Sequence, residues 1–289
     1  MSDSPPPPDP VILLQSIGRR AKKSWGQNFL RDQNVLAQIA QASGAAPEVS
    51  VIELGAGLGA LTYHLLRLGA AVVAVERDRD LVPLLRQALA WSPALEIIEA
   101  DAAGLHYAAL AKVKGSALHV AGNLPYQLSS RLLVNLADAV PHIGHAVVMV
   151  QKEVATRLVA QPGGRDYGLL SVLVQRAFNA KILRHVKASA FLPPPRVDST
   201  VVVLTAHCRK PEGSQDALLV RVARAAFSQR RKRLDNALAH GLGVAKAEVH
   251  RLVVAAGLDP GCRAETLGLE EFTHLATAFA ELLLSADCG

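Results

Sequence analysis

An α/β fold, with a parallel sheet covered by helices on both faces and a small all-helical domain after it, is predicted by three observations. From Val49 onward, short apolar runs alternate with amphipathic stretches, the signature of strand–helix–strand units. Three glycines, Gly55, Gly57 and Gly59, separate the first apolar run from the first helical stretch. After the polar segment HCRKPEGSQD the β-like runs stop, and amphipathic helices continue from Ala217 to Leu284.

The strands follow in order. VSVIEL, AVVAVE, LEIIEA, ALHVAG and HAVVMVQ are each short, apolar and rich in β-branched residues, and each precedes a segment of helical character. Two further β-like runs, AKILRHV and STVVVLTA, close the first domain. The expected organisation is a disordered Pro-rich leader over 1–16, an α/β domain over 17–206 and a helical domain over 207–289. No repeat of fixed period is present.

The totals bound the class. The chain has 289 residues, half of them apolar and 19% charged, so a sizeable core is expected. No apolar run reaches the length of a membrane span, and MSDSPPPPDP lacks the order of a secretory signal. Cys208, Cys262 and Cys288 are odd in number and lack C-x-x-C spacing, so neither a disulfide framework nor a zinc site is expected. A reducing cytoplasm is the expected setting. Nothing in the chain signals an oligomer, and a monomer is expected.

The glycine loop lets the backbone turn sharply and a ligand approach without an intervening Cβ. It also fits G-x-G-x-x-A, so a dinucleotide reading stays open at this point. Glu76 closes the second strand about twenty residues further on, where an acid accepts from ribose hydroxyls. Asp101 follows the third strand at the same edge, where an acid accepts from an adenine amine. Taken singly, either acid reads as a helix cap. Together they point to an adenosine-bearing cofactor.

The stretch HVAGNLPYQLSSRLL ends a buried strand on an amide, a proline and an aromatic. Asn123 offers a side-chain carbonyl, and Pro125 cannot continue a ladder, which releases the peptide carbonyl of Leu124. Two such acceptors suit an aromatic amine whose lone pair is delocalised into a base. Tyr126 can stack on that base once it has left its own stack. S-adenosylmethionine would need only in-line positioning against such an amine, because its sulfonium is already activated, and no metal is required.

Charge adds a polyanionic partner. The net +6 is concentrated in Ile17–Asp32, with five basic residues and one acid, and in Arg221–His240, with six and one. Each segment alone is equally a solvated helix face.

The ordered set KKSWGQNFLRD, VIELGAGLGALT, VVAVERD, EADA, GNLPY, FLPPPRVDS and FSQRRKRLDNAL resembles the small-subunit (16S) rRNA adenine N6-dimethyltransferase family, from about Ile17 to beyond Asn236. The resemblance implies a Rossmann-like class I S-adenosylmethionine-dependent methyltransferase sheet with a small all-α C-terminal domain. It implies S-adenosylmethionine held by Gln27, Asn28, Phe29, Leu30, Gly55, Gly57, Glu76, Asp101 and Asn123. Many relatives carry His where this chain has Asn28. The target pocket falls to Asn123, Leu124, Pro125 and Tyr126, with Phe191 as a second aromatic wall; by composition alone Phe191 is equally a core plug. Lys22, Lys23, Arg230, Arg231, Lys232 and Arg233 are expected on rRNA phosphates. The implied reaction is N6,N6-dimethylation of two adjacent adenosines in the 3′-terminal hairpin loop of small-subunit rRNA, within an assembling 30S subunit. A macrolide-resistance-type methyltransferase of large-subunit rRNA is one alternative, and a non-catalytic assembly or nucleic-acid-binding factor is another. A dehydrogenase would share the glycine loop but gives GNLPY no role.

Overall fold

The computed structural model describes residues 5–22, 26–207, 213–229, 231–280 and 282. By internal contacts the chain divides into two units, Met1–Ala155 with Asn179–Ala206, and Thr156–Phe178 with His207–Gly289.

The first unit is built on a seven-stranded sheet. Its strands are β2 (Ser50–Leu54), β3 (Ala71–Glu76), β4 (Leu95–Glu99), β5 (Leu118–Asn123), β6 (Ile143–Gln151), β7 (Phe178–Val186) and β9 (Ser199–Ala206). They lie in the order β4-β3-β2-β5-β6-β9-β7. The first five are mutually parallel, and β9 joins β6 antiparallel with Met149 opposite Val201. Val51, Ile52, Val72, Val73, Val120 and Val147 are buried, as strands covered on both faces require. A separate two-stranded ribbon pairs β1 (Phe29–Leu30) with β8 (Phe191–Leu192), Leu30 opposite Phe191.

Helices α2 (Gln33–Ala42), α3 (Ala60–Arg67), α4 (Val82–Ala88), α5 (Tyr107–Lys114) and α6 (Ser129–Asp138) belong to the same unit. Asp32 caps α2 by accepting from the backbone of Asn34 and Val35 at 2.9 and 3.2 Å. The strand order reverses between β2 and β5, the topological switch point where open α/β sheets bind their ligands.

The expected disordered leader is corrected in part. Pro10–Ser16 forms helix α1, with Asp9 accepting from Val11 at 2.7 Å and proline at the first helical position. Leu14 is buried against Leu58, Leu81 and Leu84, so apolar burial orders a segment whose prolines suggested otherwise.

The second unit is helical. It contains α8 (Leu169–Gln175), α9 (Ser214–Ala226), α10 (Leu234–Leu242), α11 (Lys246–Ala255) and α12 (Leu269–Ala278). Its core includes Val172, Leu219, Val222, Leu238 and Phe272. Thr156–Phe178, continuous in sequence with sheet strands on either side, packs with these helices. Arg176, buried at the C-terminal cap of α8, reaches Asp216 on α9 at 2.9 Å, so its desolvated guanidinium has a matched carboxylate.

Candidate active site

The carboxyl ends of β2, β3, β4 and β5 open onto one cleft, wholly within the first unit. The loop leaving β2 is left-handed at Gly55 and Gly57, with φ of 73° and 58°. A Cβ on Gly57 would press the Phe29 ring at 3.3 Å, so the bare backbone is also a spatial requirement.

Glu76 fixes this loop. Its Oε2 accepts from the Gly57 amide and its Oε1 from the Asp78 amide, both at 2.8 Å. Burial pushes the Glu76 carboxyl upward, and these two donors work against that. Each oxygen keeps a lone pair for a further donor such as a ribose hydroxyl. Asp101, exposed on the cleft rim, accepts from Ala103 at 2.9 Å and so caps the short helix Ala102–Gly104. Cap and cleft residue are thus one side chain.

Sequence reasoning placed Gln27 and Lys22 in different sites; the structure brings both onto Asp78. Lys22 Nζ lies 2.7 Å from Asp78 Oδ1 and 2.9 Å from Asp80 Oδ2. Gln27 donates to Asp78 Oδ2 at 2.7 Å and accepts from the Lys22 amide at 2.8 Å. Burial of Asp78 opposes ionisation, but Lys22 and Gln27 outweigh it and hold the carboxyl below its ordinary range. Lys22 is therefore turned onto this latch, because a buried carboxylate attracts it more strongly than solvent does. Asp78 was missed as a site residue; its signal was the ERDRD run at the end of a strand, across from a basic segment.

The latch seats Asn28, whose backbone carbonyl accepts from Asn123 Nδ2 at 3.0 Å. That bond fixes the amide, leaving Asn123 Oδ1 as the acceptor turned elsewhere. Asn28 uses its own side chain locally, donating to Gly26 at 3.0 Å. Phe29 lies against Gly57, and Leu30 is buried between the cleft and the core.

Strand β5 reaches this point by a close approach. A Cβ on Gly122 would stand 2.6 Å from the Leu54 carbonyl, so glycine is needed for β5 to lie tight on β2. Leu124 donates to Met149 at 3.0 Å, the last such bond before Pro125. Tyr126 is half-buried, and its hydroxyl lies 2.7 Å from Ser199 Oγ on β9. Ser199 was a second miss, since only the fold brings β9 beside this turn.

Phe191, expected to face Tyr126 across a base, is only 3% exposed and packs into the core with Leu30, Val186 and Val201. It does not line the cleft. Its place in β8, opposite Leu30, turns its ring inward.

In the second unit Arg231, Lys232 and Arg233 are exposed between α9 and α10. Arg233 lies 3.4 Å from buried Asp235, which also has Lys246 and His250 within 3.9 Å. Lys246 and His250, far along the sequence, thereby join the basic group. Lys23, Arg230, Cys208 and Cys288 lie outside the described residues, and Cys262 is a free thiol. Among the described residues no helix is long and apolar enough to cross a membrane, and no cluster of three His, Cys, Asp or Glu is placed to hold a metal ion.

The glycine turn, the paired acids at the strand ends and the amide-proline-aromatic turn of β5 define a class I S-adenosylmethionine-dependent methyltransferase fold. Solved structures share the fold. A dimethyladenosine transferase from Plasmodium falciparum aligns with a TM-score of 0.71 at 24% identity, covering 88% of this chain and 98% of that one. The 23S rRNA methyltransferase ErmE aligns at 0.64, also at 24% identity, over 87% and 99%. Sequence goes further than fold. The family model of ribosomal RNA adenine dimethylase matches residues 18–280, and the chain belongs to that family. A ribosomal RNA small subunit methyltransferase A from Anaeromyxobacter sp. (strain K) is 47% identical, over 93% of this chain and 96% of its own. Its counterpart from Myxococcus xanthus (strain DK1622) is 42% identical over 94% and 96%.

Proposed function

We propose that this protein dimethylates the N6 amines of two adjacent adenosines in the 3′-terminal hairpin loop of small-subunit rRNA, with S-adenosylmethionine as methyl donor. The family and the names of its relatives support the chemistry and the subunit. The observation that carries the reading at the site is the hydrogen bond from Asn123 Nδ2 to Asn28, which presents Oδ1 rather than the NH2 group as the free end of the amide.

The residues fit the donor. A cradle without Cβ atoms at Gly55 and Gly57, a carboxylate with spare lone pairs at Glu76 and a second at Asp101 match an adenosine with an amino-acid tail. When bound, S-adenosylmethionine supplies a methyl group already activated by its sulfonium, and no metal is called for. Asn123 Oδ1 and the Leu124 carbonyl accept from the adenine amine, which favours a more tetrahedral nitrogen with its lone pair available. Tyr126, pinned by Ser199, offers a ring face to the extruded base; such stacking contributes roughly 1–3 kcal/mol. Holding amine and methyl in line supplies on the order of 7–11 kcal/mol of the barrier reduction. Once one methyl is attached, one N–H remains to be guided by the same acceptors.

Arg231, Lys232 and their neighbours hold rRNA phosphates, and RNA shape and splayed bases supply the rest of the recognition. The partner is an assembling 30S subunit in the cytoplasm, and the protein acts as a monomer.

Purified protein, labelled S-adenosylmethionine and immature small subunits lacking the modification test this directly. Digestion to nucleosides and mass analysis should show dimethyladenosine at two adjacent loop positions. Transfer to large-subunit rRNA instead would move the protein to the resistance-type reaction. Tight RNA binding without transfer to either would leave only an assembly role.

A further inference from the structure

Asp235, in the first turn of α10, is an acid within the basic segment Arg221–His240, yet it is the buried member of its group. The Leu234 amide donates to the Cys262 carbonyl at 2.8 Å and the Asp235 amide to the Pro260 carbonyl at 3.2 Å, which fixes the start of α10 on the turn that follows α11. Asp235 Oδ1 accepts from the Asn236 amide at 2.7 Å. Around Oδ2 stand three basic groups: Arg233 at 3.4 Å, and Lys246 and His250 each at 3.9 Å. Lys246 and His250 are four residues apart on α11 and so share one face of it. All three basic side chains are more than half exposed, whereas that of Asp235 is 2% exposed.

One carboxylate balances one cation. Arginine and lysine already bring two positive charges to Oδ2, and His250 adds a further donor. Like charges gathered at one atom repel, so a counter-ion role toward Asp235 accounts for one of them and leaves a surplus facing solvent. Arg251, on the same helix, shows the ordinary alternative, an acid of its own in Glu248 at 2.5 Å. Arg231 and Lys232, which precede Arg233, are exposed with no acidic partner among the described residues.

We propose that Arg233, Lys246 and His250, gathered by Asp235, form a seat for a backbone phosphate of the RNA, so that the start of α11 belongs to the interface and Asp235 is its positioning residue. This rests on the function proposed above. A phosphate offers several acceptor oxygens to donors converging from two helices, and it takes up the charge that Asp235 leaves unbalanced. The cations are held together before the RNA arrives, so less rotamer freedom is lost on binding than for side chains free in solvent. Such a seat fixes the position of the RNA and reads no base.

Binding of the full-length protein to immature small subunits, followed against salt concentration, tests the seat. Lys246→Gln combined with His250→Gln should weaken binding several-fold and lower the slope of log K against log salt by about one to two. Arg251→Gln removes a charge from the same helix outside the seat and should leave the slope unchanged. In an Asp235→Asn background, with folding checked by thermal melting, the Lys246 and His250 replacements should lose most of their effect, because cations no longer gathered do not share one phosphate. Lys246, His250 and Arg251 are exposed, so their variants decide the seat whether or not Asp235→Asn folds.

An unchanged slope in the double variant, or an equal loss in Arg251→Gln, overturns the seat; methyl transfer by the unaltered protein in the same preparation leaves the proposed function standing. An undiminished effect in the Asp235→Asn background removes Asp235 from the positioning role. Loss of affinity for subunits with none for protein-free small-subunit rRNA would assign the cluster to an acidic protein surface and overturn the phosphate. Failure of the unaltered protein to bind or methylate the subunits overturns the function proposed above, and this inference with it.

Discussion

Asn123 Nδ2 and the carbonyl of Asn28 are 3.0 Å apart, so the side chain at the end of β5 is oriented by the segment just before β1. On the function proposed above, removing the Asn123 amide removes an acceptor from the target amine together with this tie to Asn28. Asn123→Ala should lower kcat on the order of 10²-fold, the scale on which a preorganised polar group at a reacting centre acts. Cofactor affinity, measured calorimetrically, should fall much less. Full dimethylation by the variant would end the acceptor role.

The Asp78 latch predicts a change in cofactor affinity without a change in chemistry. In Asp78→Asn, with the Lys22 and Gln27 partners weakened, amides of residues 27–30 should exchange hydrogen faster and the cofactor Kd should rise several-fold. The kcat at saturating cofactor should change little. The Asp78 carboxyl is held below its ordinary range, so its contribution is complete at neutral pH and lost only as pH falls through that lowered value. Protection of the segment should accordingly be flat from pH 6 to 8. A loss of protection within that window would remove Asp78 from the role.

Tyr126 contributes a ring and a hydroxyl, and the two separate. Tyr126→Phe and Ser199→Ala both break the 2.7 Å hydrogen bond and should give similar, modest rises in KM for the RNA substrate. Tyr126→Ala also removes the stacking face, and a loss of ~1–3 kcal/mol, roughly 5- to 150-fold in kcat/KM, is expected. Equal effects of Phe and Ala would show that the ring does not stack on the base.

Phe191 sits in the core, so its truncation should register first as stability. Phe191→Ala is expected to cost ~3–5 kcal/mol in urea unfolding, and Phe191→Leu much less. Unchanged stability with RNA turnover lost would return Phe191 to the wall of the target pocket.

Exposed Arg231 and Lys232 should act through phosphate charge. Their double replacement by Ala should weaken RNA binding and flatten the dependence of log K on log salt by up to about two counterions. An unchanged slope would put this loop off the RNA path.

The parallel sheet was legible in the sequence because its strands are apolar on both faces and its helices are not. The glycine loop, Glu76 and the Asn123–Tyr126 turn were legible for another reason: each lies where a strand ends, and a strand end shows itself as a change of residue type. The Asp78–Lys22 pair was not, because the two residues are more than fifty apart in sequence, and charge alone does not say whether a lysine faces solvent or a buried acid. The same ambiguity hid Lys246 and His250 beside Asp235. Phe191 shows the converse: an aromatic in a Pro-rich loop reads equally as wall or plug, and only its pairing with Leu30 sets which way the ring turns. Pro10–Ser16 misled through composition, since one proline at a helix start is as favourable as several in a row are not.

Gln27, Asn28 and Phe29 reach, in turn, the Asp78 carboxylate, the Asn123 amide and the bare backbone of Gly57. One short piece of chain thus ties three separate elements of the cleft together. On the function proposed above, this joins the side of the cleft that would take the donor to the acceptor turned toward the target, so disturbing one of the three contacts is expected to reach the other two.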